Sequence, residues 1–177
     1  MKQSSKCALG GIMAALSLVI LISVAIIPFL TYALPAAAGL LIVLTVIEID
    51  KKWAFGVYAA VAILGLLLIP DKEVAVMYAA FFGYYPILKA VFESRLPGWL
   101  AWIVKCLTFL VTIAASYYLM IKLIGLQVDE INEYGIIAVP ILLGAGLVAF
   151  VIYDIAISKM VLLYDLRWRR RFRNLFH

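Results

Sequence analysis
Apolar residues occupy this chain in long runs, and the few charged residues fall mostly between those runs. A run of about 20 apolar residues makes a helix about 30 Å long, which matches the hydrocarbon core of a bilayer. On that basis the chain predicts six spans: Cys7–Ile27, Ala36–Ile47, Trp53–Ile69, Glu73–Ala90, Trp99–Lys122 and Gly135–Leu163. The second is short unless it borrows from the connection before it, Pro28–Pro35, which its two prolines should make a stiff turn or re-entrant dip. The expected fold is all-α: a polytopic membrane protein with six transmembrane helices in a compact bundle. The whole chain, 1–177, forms one membrane domain with a basic cytoplasmic tail from about residue 164.

The fourth span departs from a plain apolar run. It starts from a charged island, Pro70-Asp71-Lys72-Glu73, and carries Tyr78, Phe81, Phe82, Tyr84 and Tyr85 together with Gly83 and Pro86. Proline lacks an N–H and clashes one turn back, so a kink is expected near Phe82–Pro86. A break at membrane depth is tolerated only against protein or a wet cavity. Two readings follow: a binding-site helix entered from the Pro70–Glu73 turn, or an aromatic packing helix with an interfacial belt.

Composition narrows the class. The chain is 67% hydrophobic and 14% charged, more apolar surface than a soluble domain can hide. No soluble catalytic or nucleotide-binding module fits in the remainder, and no phosphate-cradling G-x-x-x-x-G-K-[ST] run occurs. Any energy source must therefore come from another chain. The net charge of +5 sits at membrane edges and in Arg167, Arg169, Arg170, Arg171 and Arg173, which reads as topology and anionic-lipid contact rather than nucleic-acid binding. Cys7 and Cys106 read as small reduced apolar residues. The only histidine is His177, so neither a histidine metal site nor a Ser-His or Cys-His catalytic pair is expected inside the membrane. No catalytic residue, metal or cofactor is assigned.

Lysine and arginine placement predicts orientation. With a cytoplasmic N-terminus, the inside receives Lys2, Lys6, Lys51, Lys52, Lys89, Arg95, Lys159 and the arginine tail, and the outside only Lys72 and Lys122. Both termini are then cytoplasmic, and Pro28–Pro35, Pro70–Glu73 and Ile124–Tyr134 face out. Lys105 and Asp154 each lie about two turns from a cytoplasmic helix end, where an ionisable group is costly unless paired. An interhelical Lys105–Asp154 pair is the favoured reading, against snorkelling of Lys105 to the interface. Toward the outer ends the candidates for a small-molecule site are Tyr32, Glu73, Tyr78, Phe82, Tyr117, Tyr118 and Asn132. Rings supply stacking area and a few polar groups fix orientation. Acids outnumber bases in these loops, so a planar, neutral or cationic ligand is expected. The alternative is solvated loop charge with a tyrosine belt.

The first span carries Ala8-Leu-Gly-Gly-Ile-Met-Ala-Ala-Leu-Ser17, in which Gly10 and Ala14, and Gly11 and Ala15, stand four apart on one stripe. Small residues let another helix backbone approach closely, either within the chain or from a partner. That segment, with six spans in 177 residues and short outer loops, resembles the substrate-binding S component of energy-coupling factor (ECF) vitamin transporters. The resemblance covers essentially the whole chain, although glycine stands at 10 and 11 where the family's first helix is alanine-rich. It implies a multi-pass subunit of the bacterial cytoplasmic membrane that binds a small molecule near its outer face. It further implies that Gly10, Gly11, Ala14 and Ala15 dock on a transmembrane coupling protein driven by ATPase subunits. A non-catalytic membrane assembly or regulatory protein is the alternative.

Overall fold
The computed structural model describes residues 2–124 and 138–167, which are all-α with no strand among them. Helix α1 is Gln3–Ile22, followed by two single 3-10 turns, Ser23–Ala25 and Pro28–Leu30. Helices α2 (Ala33–Glu48) and α3 (Lys51–Leu68) come next. The fourth span is three pieces: α4 (Lys72–Met77), a π-turn (Tyr78–Phe82) and α5 (Tyr85–Arg95). Helices α6 (Gly98–Ile124) and α7 (Ala138–Arg167) follow. The loop from 125 to 137, the tail from 168 onward, Asn132 and the Tyr117 side chain lie outside the described residues.

Among the described residues, five stretches are long and apolar enough to cross a membrane: Gln3–Ala25, Lys51–Leu68, Lys72–Arg95, Gly98–Ser116 and Leu143–Leu166. Helix α2 does borrow from the connection before it. It begins at Ala33 and takes Pro35 into its first turn, where the missing N–H costs nothing. Its 16 residues still reach only about 24 Å. The outer surfaces of these helices are covered with large aliphatic side chains, including Ile12, Val19, Ile63, Leu67, Leu107, Val111 and Ile152. Water would not tolerate such a surface, whereas lipid chains do. The chain is a polytopic helical membrane protein.

Charged residues at the turns cap the helices they separate. Asp50 accepts from Lys51 N at 2.7 Å at the start of α3. Asp71 accepts from Glu73 N at 3.0 Å and Val74 N at 3.4 Å, closing the free donors of α4. Lys72 Nζ reaches back to the Leu66 and Ile69 carbonyls, at 2.9 and 3.0 Å, at the end of α3. Most of the charged island Pro70–Glu73 is therefore spent on helix ends.

Two buried clusters fill the interior. One joins Leu21 and Val24 with Ile42, Val57, Val61, Val74 and Tyr78. The other is aromatic and gathers Phe81, Tyr85, Phe109, Phe150 and Tyr153. Phe81 stacks on Tyr85 with centroids 4.9 Å apart, and Phe109 stacks on Phe150 at 4.8 Å. Helix α2 serves both clusters, and Phe82 packs against each. The π-turn makes this division possible, because its wider turn sends Tyr78 into one cluster and Phe81 into the other.

Gly39 marks the tightest crossing. A methyl group there would overlap the Phe82 carbonyl and the Tyr153 hydroxyl. Gly56 is exposed, with open space where its Cβ would be. Gly39→Ala is expected to destabilise the fold by about 1–3 kcal/mol. Gly56→Ala should be neutral or stabilising by roughly 0.5–1 kcal/mol. Thermal unfolding in detergent compares the two, and equal effects would remove the close crossing from the account.

Candidate functional site
The break in the fourth span is a π-turn. Gly83 N bonds Tyr78 O at 2.8 Å, five residues back. The expected kink near Phe82–Pro86 thus begins one turn earlier, at Tyr78. Pro86 sits in the first turn of α5, where it starts a helix instead of bending one. Carbonyls loosened by the wide turn need donors in a medium without water. Tyr58 OH donates to Ala79 O at 2.6 Å, and Tyr153 OH donates to Phe82 O at 3.3 Å. Gly83 is required here because any Cβ would strike the Tyr58 ring. Tyr84 hydrogen-bonds Thr112 on α6.

Two hydroxyls at this break are left over. Tyr78 is 0% exposed and Ser17 is equally buried, yet neither side-chain oxygen has a hydrogen-bond partner. They stand close enough across the π-turn and α1 to interact, but in a geometry short of a full hydrogen bond. A buried hydroxyl without a partner carries an uncompensated desolvation cost of about 1–3 kcal/mol. Ser17 is five residues from the end of α1 and Tyr78 six from the start of α4, so both lie in the half nearer the 23–32 connection.

At that end, Tyr32 is 62% exposed and its hydroxyl donates to Glu73 Oε1 at 3.4 Å. The Glu73 carboxylate, and then partial burial, hold the Tyr32 phenol above its ordinary pKa, so it remains a donor through neutral pH. Of the sequence-derived candidates, Tyr32 and Glu73 come together. Tyr78 and Phe82 frame the π-turn, with Tyr78 fully buried and Phe82 partly so. Tyr118 is exposed. Along α1, Gly10 is buried against Val57 and Ala14 is partly buried, so both are taken up by internal packing. Gly11 and Ala15 are exposed, and nothing stands within 4 Å of a Cβ built at Gly11.

At the opposite end lies a charge cluster. Lys105 Nζ stands 3.2 Å from Asp154 Oδ1, as expected, and the pair is larger than a pair. Lys89 is 2% exposed and bonds Asp154 Oδ1 at 2.6 Å and the Asp154 backbone oxygen at 3.2 Å. Tyr85 OH donates to the same Oδ1 at 2.6 Å. Glu93 Oε1 accepts from Lys89 at 2.9 Å and from Lys105 at 2.6 Å. Reading Lys89 as a topology charge at the membrane edge is thus corrected: it is an internal counter-ion. The signal was present, since Tyr85, Lys89 and Glu93 recur every four residues on one face of α5. Charge counting by side of the membrane has no view of helix faces.

No protein-family model, curated protein or solved structure matches the chain.

Removing Asp154 leaves two buried ammonium groups sharing Glu93 alone, one positive charge in excess, whereas removing Lys105 leaves Asp154 with Lys89. Asp154→Asn is expected to cost about 3–5 kcal/mol and Lys105→Met less. The double variant should cost less than the sum. Unfolding in mixed micelles gives the four values, and strict additivity would show that the charges do not interact.

Proposed function
We propose that this protein is the small-molecule-binding membrane subunit of an ECF-type uptake system, with no covalent chemistry of its own. The observation that carries the reading is the pair of buried, unpartnered hydroxyls, Ser17 and Tyr78, beside a π-turn in an otherwise apolar interior. π-Turns inside helices occur often at functional sites. A ligand polar group lying between these hydroxyls would satisfy both, and the surrounding rings of Tyr58, Phe82 and Tyr84 would supply area. The Tyr32–Glu73 hydrogen bond, long at 3.4 Å, joins the 23–32 connection to the start of α4 at the same end. Glu73 favours a planar ligand that is neutral or cationic.

In this reading the Lys72 end faces outward and both termini are cytoplasmic, in a bacterial cytoplasmic membrane. Gly11 and Ala15 form the open part of the face on which a coupling protein, driven by ATPase subunits, would dock. A membrane assembly protein would use the same face, and the ligand distinguishes the two. With a cysteine introduced at 72 or at 51, an impermeant reagent outside the cell should label 72 and spare 51. The reverse pattern would invert the topology.

Tyr78→Phe separates the functions of the hydroxyl. Without ligand the variant should be as stable as wild type or more so, since an unsatisfied buried group is gone. Affinity for the molecule released from wild-type protein should fall about 2- to 12-fold, the loss of one hydrogen bond. Mass spectrometry identifies that molecule and calorimetry measures the affinity. A stabilised Tyr78→Phe protein with unchanged affinity, or a wild type that releases no ligand, would overturn the site and leave the assembly reading.

A further inference from the structure
We propose that Lys89 and Lys105 form a phosphate-binding site between α5, α6 and α7, and that Glu93 occupies it as an internal stand-in. The two ammonium groups meet on a single oxygen, Glu93 Oε1, at 2.9 and 2.6 Å. Their side chains are almost fully buried, whereas that of Glu93 is 47% exposed. Asp154 is buried with the lysines and is held by Tyr85 as well, so it is the fixed counter-ion. Two lysines against Asp154 leave one positive charge over, and Glu93 balances it. Once Glu93 swings out, that charge is stranded in a poorly solvated site unless an anion takes its place. Glu93 is two residues from the end of α5, so its carboxylate can return to water at little cost.

The surroundings select an anion at the level of lipid headgroups. Lys51 Nζ, which bonds Ala90 O at 3.0 Å and Ser94 Oγ at 3.1 Å, adds positive charge beside the last turns of α5. The acids of the adjoining turn are engaged elsewhere, Asp50 capping α3 and Glu48 bonded by Tyr164. The Trp102 ring lies 5.2 Å from Lys105 Nζ, and Trp99 and Trp102 are both exposed. Exposed tryptophans mark the interface where headgroups sit, and basic pockets between helices there take phosphate groups. A phosphate offers several oxygens to two ammoniums, where Glu93 offers one. The source is either an anionic lipid headgroup or free phosphate.

The test uses full-length protein in neutral detergent. Glu93→Gln removes the competing negative charge while keeping side-chain volume, and thermal midpoints are read against sodium chloride of matched ionic strength. One arm adds inorganic phosphate without lipid, and the other adds phosphatidylglycerol without free phosphate. At a ligand concentration about tenfold above the dissociation constant, one arm should raise the Glu93→Gln midpoint by about 3–5 °C. The arm that responds names the source. Wild type should respond less, because Glu93 competes, and adding Lys105→Gln to Glu93→Gln should abolish the response. If Glu93→Gln fails to fold, Glu93→Asp, whose shorter arm withdraws the carboxylate, is read in the same way. No rise above the chloride control in either arm, or a rise that survives Lys105→Gln, would overturn the proposal.

Discussion

A carboxylate inside a membrane domain must find its counter-charge on a neighbouring helix, and Asp154 imposes that condition here. Helices in lipid gain nothing from hiding apolar surface, since lipid chains are as apolar as the core. Packing and polar contacts hold them together instead. Asp154 on α7 draws Lys89 and Tyr85 from α5 and Lys105 from α6, so one side chain fixes three helices. Each of these groups alone would be an expensive guest in hydrocarbon. Together with Glu93 they balance, and the balance fixes the rotation of α5 about its axis.

That rotation reaches the other half of the molecule through the π-turn. Tyr85 is the first residue of α5 and lies three residues beyond Phe82. With Tyr85 held by Asp154, its ring stacks on Phe81 and the aromatic cluster forms around them. The π-turn then absorbs the mismatch between this cluster and the α1–α2–α3 side, where Tyr78 is buried. Gly39 and Gly83 let backbone and rings approach closely enough for the turn to exist. The leftover hydroxyls of Ser17 and Tyr78 sit on the seam where α1 meets this turn.

Much of the fold was legible in the sequence because membrane spans announce themselves by length and apolarity. The predicted span Trp53–Ile69 and the observed α3, Lys51–Leu68, differ by a residue or two at each end. Helix α2 was harder, since Pro35 marked a loop boundary by rule yet fits the first turn of a helix. The Lys105–Asp154 pair could be inferred from cost alone. Lys89 escaped because its neighbours Arg95 and Glu93 made it look like loop charge. In the candidate site, Tyr78 and Phe82 were legible as rings beside a break. Ser17 was not, because a lone serine in an apolar helix most often bonds its own backbone, as Ser23 does to Val19 O at 2.7 Å. Only the packing of α1 against the π-turn gives Ser17 a different role.

The central claim is that Ser17 and Tyr78 are partners of a ligand and not of each other. An experimental structure of protein purified from its native membrane, without added ligand, tests it most directly. The account predicts density for a small planar molecule between α1 and the π-turn, with a polar atom within about 3.2 Å of the Tyr78 hydroxyl. A direct Ser17–Tyr78 hydrogen bond in a fully packed seam would contradict it.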